Sequence, residues 1–332
     1  MATLAVTHPT LLDLTKRQNP DGTMADIVEI LNASNEVLDD MVWQEGNLPT
    51  GHRTTIRTGL PSGTWRKLYG GVQPNKSSTR QVTDSCGMLE AYAEVDKALA
   101  DLSGNVNEFR LSEDRPHIEG MSQDMATALF YANEVTDPEK FTGFAPRFNS
   151  LSASNAENII DAGGTGSDNT SIWLVGWGPN SCFGIIPKGS TGGLKMEDKG
   201  QVTIESIDGA GGRMEAYRTH YRWDAGLTVR DWRYVVRICN IDKSDLTKDA
   251  ATGADLSDLM VRAIELLPNT GTVRPAFYCS RTIKTFFRRQ AINKVKNSTL
   301  TYEDLNGRKT VMFDGIPIRR ADVLASDEAR VT

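Results

Sequence analysis

The feature that most constrains the fold of this chain is a polar stretch, residues 45–82, which is rich in glycine and proline and contains one acid, Glu45. Two short runs of β-type composition, 53–58 and 64–68, flank a turn at 60–63, so the spacing predicts a polar hairpin. A lone hairpin is marginally stable in water, and a long polar excursion inside a compact domain is uncommon. Two interpretations stay open: a surface loop, or a loop that becomes ordered on a neighbouring subunit. The cations of this stretch are Arg53, Arg57, Arg66, Lys67, Lys76 and Arg80.

Charge and composition exclude several classes of protein. The chain carries 37 Lys+Arg and 43 Asp+Glu, a net charge of −6, which excludes a strongly basic nucleic-acid coat. It has 332 residues, of which 39% are hydrophobic, and this is enough for a substantial core and excludes wholesale disorder. Because no apolar run of ~18 residues occurs, we expect no membrane span. The N-terminus lacks a basic segment followed by an apolar one, so we expect no secretory signal.

Residues that carry catalysis or bind metals form no recognisable constellation. No Cys-x-x-Cys, His-Glu-x-x-His or Gly-x-Ser-x-Gly occurs, and the glycine clusters at 163–166 and 209–212 lack the Gly-Lys-Ser/Thr of a phosphate loop. The sequence therefore predicts no catalytic residue, no cofactor and no metal site, and we expect that the chain is not an enzyme. Reduced thiols are expected for the four widely spaced cysteines, Cys86, Cys182, Cys239 and Cys279.

The periodicity of apolar residues predicts an α+β chain. Residues 1–20 form an arm with two prolines, and a helix begins near residue 21 or 23 and extends to about 41. Further helices are predicted at 83–102, 122–135, 255–268 and 281–294. Strands dominate 150–240, and a strand–turn–strand unit is predicted at 310–320 with its turn at Asp314-Gly315.

The helix at 281–294 carries several cations on a chain that is acidic overall. From residue 271 onward there are 12 Lys+Arg and 6 Asp+Glu. Arg288 and Arg289 belong to this set, together with Arg281 and Lys284. A solvated helix face is the plainer interpretation, and an interface with an acidic neighbour or a polyanion is the alternative.

The order of these elements resembles that of the major capsid proteins of tailed bacteriophages, which have the Hong Kong 97-like fold. The residues that carry the resemblance are 275–280, the helix at 281–294, and 313–324 with its Gly-Ile-Pro-Ile strand. The resemblance implies an N-terminal arm, an extended β-hairpin loop, a peripheral domain and an axial domain. The strands predicted at 214–241 come earlier than the usual family order, which predicts a rearranged strand order.

The resemblance also divides the chain. It implies the following parts: 1–44, arm and helix; 45–82, extended loop; 83–150, helices of the peripheral domain; 151–254, a β-rich segment shared by both domains; 255–332, axial domain.

Family membership implies a protein of the virion that is made and assembled in the cytoplasm of a host bacterium. Copies would self-assemble as hexamers and pentamers into an icosahedral shell around the genome, with arm and loop lying on adjacent subunits. Possible partners are a cement or decoration protein, a scaffold and a portal; packaged DNA would be a non-specific neighbour. The residues expected at contacts between subunits are Arg53, Arg57, Arg66, Lys67, Arg80, Arg288 and Arg289.

Two tryptophans of the β-rich middle, Trp223 and Trp232, motivate the alternatives. A β-rich carbohydrate-binding or tail-associated virion protein, or a hydrolase without a recognisable motif, would use them as substrate contacts. Packing in the core of a sheet is the plainer interpretation, since large aromatic side chains usually pack.

Overall fold

A computed structural model describes residues 9, 35–205, 211–247, 253–294, 300–305 and 308–332, with the backbone alone for 291–294, 300–305 and 308–310. Apart from residue 9, the predicted arm lies outside these residues, and so does the predicted helix as far as residue 34. The helices are α1 (Val37–Asp40), α2 (Lys97–Leu102), α3 (Val106–Tyr131), α4 (Phe144–Arg147), α5 (Leu256–Glu265) and α6 (Arg281–Lys294). The strands are β1 (Trp43–Glu45), β2 (Gly51–Gly59), β3 (Ser78–Asp96), β4 (Ile159–Asp161), β5 (Asn169–Trp177), β6 (Cys182–Ile186), β7 (Lys195–Glu205), β8 (Arg213–Val229), β9 (Val235–Asp242), β10 (Arg274–Cys279), β11 (Leu300–Leu305), β12 (Arg308–Phe313) and β13 (Ile316–Arg320).

The described residues group into two compact units. Unit 1 contains residues 88–126 and 192–224. Unit 2 contains residues 35–87, 127–191 and the described residues of 225–332.

Strand β5 is the centre of unit 2, and all nine of its residues are buried. It pairs antiparallel with β9 and β10, and the sheet continues from β10 through β13 and β12 to β11. On the other side β6 connects β5 to β8 and also pairs with β1. A strand that is covered on both faces is a continuous apolar run rather than an alternating one, which explains the apolar sequence of β5.

Two helices complete the core of unit 2, and both were predicted. The Asp255 side chain accepts a hydrogen bond from the Asp258 amide and caps α5. Ser280 precedes α6, and its hydroxyl accepts from the Ile283 amide at 3.4 Å. The apolar sides of both helices join one cluster with β5, β9, β10 and β13. The predicted turn also occurs, since Asp314 and Gly315 have φ of 51° and 75° between β12 and β13.

Unit 1 combines α2 and α3 with β7, β8 and the second half of β3. Strand β7 pairs antiparallel with β8, from Lys195 opposite Arg222 to Glu205 opposite Arg213. One core cluster consists of Val95, Leu99, Ala100 and Phe109, and the other of Ala93, Met121 and Tyr221.

Helix α3 begins 16 residues before the predicted start at 122 and ends four residues before the predicted end at 135. Charged residues dominate its first half and weaken the apolar periodicity, and Pro116 lies inside it. Burial of Phe109 in the first cluster stabilises this half in spite of the proline.

The prediction of a helix at 83–102 is wrong, and the same holds for this stretch of the segment 83–150, which was predicted to be helical. Residues 78–96 form one long strand, β3, and only Lys97–Leu102 are helical. Pairing with β2 and β8 decides the conformation, because strand preference depends on neighbours more than on the local sequence. The Asp96 side chain accepts from the Ala98 amide at 2.8 Å and caps the short helix that follows.

The predicted hairpin exists, but its second strand is not residues 64–68. Strand β2 pairs with the first half of β3, from Gly51 opposite Ser85 to Gly59 opposite Ser78. Residues 60–77 therefore form the loop of the hairpin, and the second strand lies ten or more residues further along the chain than predicted.

Candidate assembly surface

The foot of the hairpin is held to unit 2 by close backbone contacts and one ion pair. The Asp84 carboxylate, 4% exposed, pairs with the Arg147 guanidinium at 2.9 Å. The Asn47 side chain accepts from the Arg53 amide at 2.7 Å and donates to the Arg53 carbonyl at 2.8 Å. A side chain at Gly51 would collide with the Asp84 carbonyl. Glycine is therefore required at Gly51, and the foot is a fixed point from which the hairpin extends.

The loop 60–77 exposes large apolar side chains. Trp65 and Tyr69 are 102% and 103% exposed, and Tyr69 also has a positive φ of 61°. Three more apolar side chains of the loop are exposed, namely Leu60, Leu68 and Val72. Contiguous exposed apolar surface is typical of a protein–protein contact, and Trp, Tyr and Arg dominate the binding energy of such contacts.

This apolar set was not predicted from the sequence. Residues 64–68 were predicted as a strand of a polar hairpin, and only its cations were predicted to make contacts. The available signal was the run Trp-Arg-Lys-Leu-Tyr at 65–69, which places three large apolar residues in a stretch that has no core to bury them.

The structure brings five of the predicted contact residues together on the hairpin. All five are exposed, and within the described part of the chain only Arg53 has a side-chain partner, since its Nε donates to the Thr83 hydroxyl at 3.2 Å. Among the described residues, no carboxylate lies within 4 Å of their charged groups. These residues are Arg53, Arg57, Arg66, Lys67 and Arg80.

The other two predicted contact residues, Arg288 and Arg289, lie on α6 and are exposed there. The Arg289 guanidinium lies over the Phe286 ring at 5.2 Å. They belong to a helix face and not to the hairpin.

A groove of about 940 Å³ lies in unit 2 beside the foot of the hairpin. We call it the foot groove. It is lined by the end of the hairpin, the segment after α3, the region of α4 and the last residues of the chain. Its lining residues include Val82, Asp84, Tyr131, Glu134, Val135, Pro146, Arg147, Arg237, Glu328 and Val331.

The floor of the foot groove is a buried ion pair with its own hydrogen bonds. Arg237 and Glu328, with side chains 5% and 6% exposed, pair at 2.7 Å. The Tyr131 hydroxyl donates to Glu328 at 2.6 Å, and the Ser171 hydroxyl donates to the same carboxylate. Burial and the Glu328 carboxylate raise the pKa of the Tyr131 hydroxyl well above its ordinary value. Both charges of the floor therefore have partners within unit 2.

Groups that could perform redox or metal chemistry are not assembled in the part of the chain that is described. Burial raises the pKa of the Cys239 thiol to about 11 and that of Cys279 to about 12, so both thiols are protonated and weak nucleophiles near neutral pH. No group of three or more His, Cys, Asp or Glu side chains that could hold a metal ion occurs among these residues.

Trp223 and Trp232 lie in different units and are both half-buried. Among the described residues no helix is long and apolar enough to cross a membrane.

Comparison with known proteins places these features in a family context. A family model described as major capsid protein GP7 matches residues 19–332. The solved structure of bacteriophage epsilon15 is 42% identical over 100% of both chains, with a TM-score of 0.80. The capsid of bacteriophage JBD30 is 10% identical and covers 96% of this chain and 99% of its own, with a TM-score of 0.45. No curated protein matches the chain.

Proposed function

The chain belongs to the GP7 family of bacteriophage major capsid proteins, which form the shell of the virion with a Hong Kong 97-like α+β fold, and we propose that it assembles through the hairpin loop 60–77. Each loop would leave its own subunit and lie on a neighbouring copy. Neither a carbohydrate-binding protein nor a hydrolase gains support from the family match or from the residues around Trp223 and Trp232.

The exposed apolar surface of the loop carries this proposal. Burying a large apolar side chain stabilises a protein by ~1.5–3 kcal/mol. A monomer with Trp65 and Tyr69 in water gains none of this free energy. Burying them on a neighbour adds interface area that a hairpin alone cannot provide.

The hairpin cations would adjust the contact without dominating its free energy. Exposed ion pairs contribute ~0–1 kcal/mol each. Repeated around a closed shell, such weak pairs add up and still allow subunits to rearrange, and they orient two surfaces during encounter. We extend this role to Arg53, Arg57, Arg66, Lys67 and Arg80 on the hairpin, and to Arg288 and Arg289 on α6.

The remaining parts of the assembly follow from the family. We propose that unit 1 corresponds to the peripheral domain and unit 2 to the axial domain, and that residues 1–44 act as an arm with its helix between subunits. Hexamers and pentamers would build the shell, with a decoration protein, a scaffold and a portal as partners. Packaged DNA would be a non-specific neighbour, and synthesis would take place in the cytoplasm of the host bacterium.

Electron microscopy of the expressed full chain tests the proposal. The unmodified protein is expected to form closed particles. The triple variant Trp65→Ser, Leu68→Ser, Tyr69→Ser is expected to remain a folded subunit with an unchanged melting temperature and to lose particle formation. Val261→Ser removes a 47% exposed apolar side chain from α5 and serves as the matched control. Particles formed by the triple variant at the yield of the control would contradict the role of the loop.

A further inference from the structure

We propose that His52 is an acid sensor at the foot of the hairpin: its protonation draws the Asp84 carboxylate away from Arg147 and releases the foot from helix α4. The switch lies entirely within unit 2 of one subunit. It goes beyond the proposed function, because it does not depend on where the loop 60–77 docks.

Strand register places the sensor beside the carboxylate. His52 lies directly opposite Asp84 in the antiparallel pair of β2 and β3. Residues that are directly opposite project from the same face of a sheet, with Cβ atoms ~4.5–5.5 Å apart. The Asp84 side chain is 4% exposed. A charge that appears on the His52 ring therefore acts on Asp84 with little screening by solvent.

The His52 ring has a nitrogen at which a proton finds no acceptor. Nδ1 is buried, and within the described residues it has no hydrogen-bond partner. The ring packs edge-on against Phe183, with the ring centroids 5.5 Å apart and the planes at 82°. A neutral imidazole carries one N–H and a protonated imidazole carries two. Protonation therefore puts a buried N–H next to Asp84, and this N–H destabilises the foot unless the carboxylate turns toward it.

The groups that face the ring oppose its protonation as long as Asp84 is paired elsewhere. Burial lowers the pKa of His52 below its ordinary value of 6.5, and the Arg230 guanidinium lowers it further, while Asp84 raises it. Arg230 follows β8 and donates a hydrogen bond to Asn180 at 3.2 Å. The Cys182 thiol on β6, near the same carboxylate, stays protonated and uncharged, because burial raises its pKa well above the ordinary value.

The contact that the switch breaks depends on one nitrogen of Arg147. Its Nη2 lies 2.9 Å from Asp84 Oδ1 and also donates to the carbonyls of Thr142 and Leu227, at 3.1 and 3.3 Å. The Nε of the same guanidinium is buried, and in the described part of the chain it has no partner. A pair joined at two points is stronger than a single contact, so a second cation can compete for Asp84. Both side chains line the foot groove, which leaves space for Arg147 to move.

Acid therefore exchanges the partner of Asp84. Above pH 6.5 His52 is neutral, and Asp84 joins strand β3 to Arg147 at the end of α4. Below pH 6.5, the form in which His52 pairs with Asp84 binds a proton more readily than the closed form, so acid favours it. The closed foot loses stability as the pH falls through this window, and the hairpin is released from α4.

Hydrogen–deuterium exchange on free subunits of the full chain tests the switch. Peptides that cover 47–58 and 80–88 are followed in the unmodified protein and in His52→Gln. For each protein the exchange rate at pH 5.5 is divided by the rate at pH 7.5, so that the intrinsic effect of pH cancels between the two proteins. We expect this ratio to be about fivefold or more higher in the unmodified protein, the lower end of typical coupling between two sites. His117→Gln, the same substitution in unit 1, is the matched control and should behave like the unmodified protein.

Equal ratios in the unmodified protein and in His52→Gln would overturn the inference, and so would loss of the acid effect in His117→Gln. Arg147→Gln tests the exchange of partners, because protonated His52 is then the cation that Asp84 gains. In this variant acid is expected to increase the protection of 80–88, and a decrease like that of the unmodified protein would contradict the exchange.

The comparison with His52→Gln decides the inference by itself where Arg147→Gln yields no folded subunit. Particle formation enters neither measurement. A negative result therefore leaves the role of the loop 60–77 in shell formation unaffected.

Discussion

At the scale of single residues, some groups of the subunit are buried and paired, and others are fully exposed. The ion pair of Arg237 and Glu328 belongs to the first kind, because it is buried and its remaining hydrogen bonds are satisfied within unit 2. Trp65 and Tyr69 belong to the second kind, because nothing in the described subunit covers them.

Loss of Glu328 should destabilise unit 2 strongly. Glu328→Ala leaves the Arg237 guanidinium buried without its carboxylate, and removing one partner of a buried pair costs ~3–5 kcal/mol. We expect the free energy of unfolding, measured by urea denaturation, to fall by this amount. Asp327→Ala, which alters the exposed neighbouring carboxylate, should change it little. A similar loss of unfolding free energy in both variants would contradict the stabilising role of the buried pair.

Two carboxyl groups of unit 1 should make the folding stability depend on pH with opposite signs. Burial raises the pKa of Asp114 above 3.8, so the folded state binds this proton more tightly and the group adds stability as pH falls through that raised value. The hydrogen bond from Arg110 lowers the pKa of Asp198, so the stability from that group is present above the unfolded value and is lost as pH falls.

Melting temperatures between pH 7 and pH 3 check these signs. Relative to the unmodified protein, Asp114→Asn is expected to raise the melting temperature most at neutral pH. This gain should shrink as the pH falls. Asp198→Asn is expected to lower the melting temperature at neutral pH, and this loss should shrink as the pH falls. Arg110 and His117 face Asp114 and remain unchanged in both variants. Parallel pH profiles for the two variants would refute the assignment.

Sequence reasoning at this scale failed for the exposed apolar side chains. The hairpin cations were predicted to lie at contacts between subunits, and this stays a prediction. Trp65 and Tyr69 were missed because an apolar residue in a predicted strand is read as half-buried. Only the three-dimensional structure shows that residues 60–77 have no sheet beneath them.

At the scale of secondary structure, the foot of the hairpin is the element on which the exposed loop depends. The helices α5 and α6 and the turn at Asp314-Gly315 were predictable because each carries its own capping or turn residues. The stretch 83–102 was not, because its conformation depends on strands β2 and β8, which are distant along the chain.

A side chain at Gly51 should disrupt the foot. In Gly51→Ala the new Cβ would overlap the Asp84 carbonyl, so β2 and β3 must separate next to the Asp84–Arg147 pair. Overpacking of this kind costs ~1–3 kcal/mol, and thermal unfolding should show the loss. Gly71→Ala in the loop, where a Cβ meets nothing within 4 Å, serves as the control and should leave the melting temperature unchanged. An equally stable Gly51→Ala protein would mean that the foot adapts without cost.

At the scale of the whole molecule, the chain is a major capsid protein of the GP7 family. Element order was enough to suggest the Hong Kong 97-like fold from sequence, because arm, hairpin, β-rich middle and closing strand–helix–strand unit follow in that order. The foot groove was beyond sequence reasoning, since it is built from residues 82–84, residues between 131 and 149, Arg237 and residues 325–331, which are far apart along the chain.

Protection of the loop on assembly is the most direct measure of the central claim, that residues 60–77 are ordered by a neighbouring copy. Trypsin cleaves after Arg66 and Lys67, both exposed in the subunit. We expect cleavage at these two sites to be rapid in free subunits and at least about tenfold slower in closed shells, because bound segments open rarely. Equal cleavage rates in subunits and in intact shells would contradict the claim.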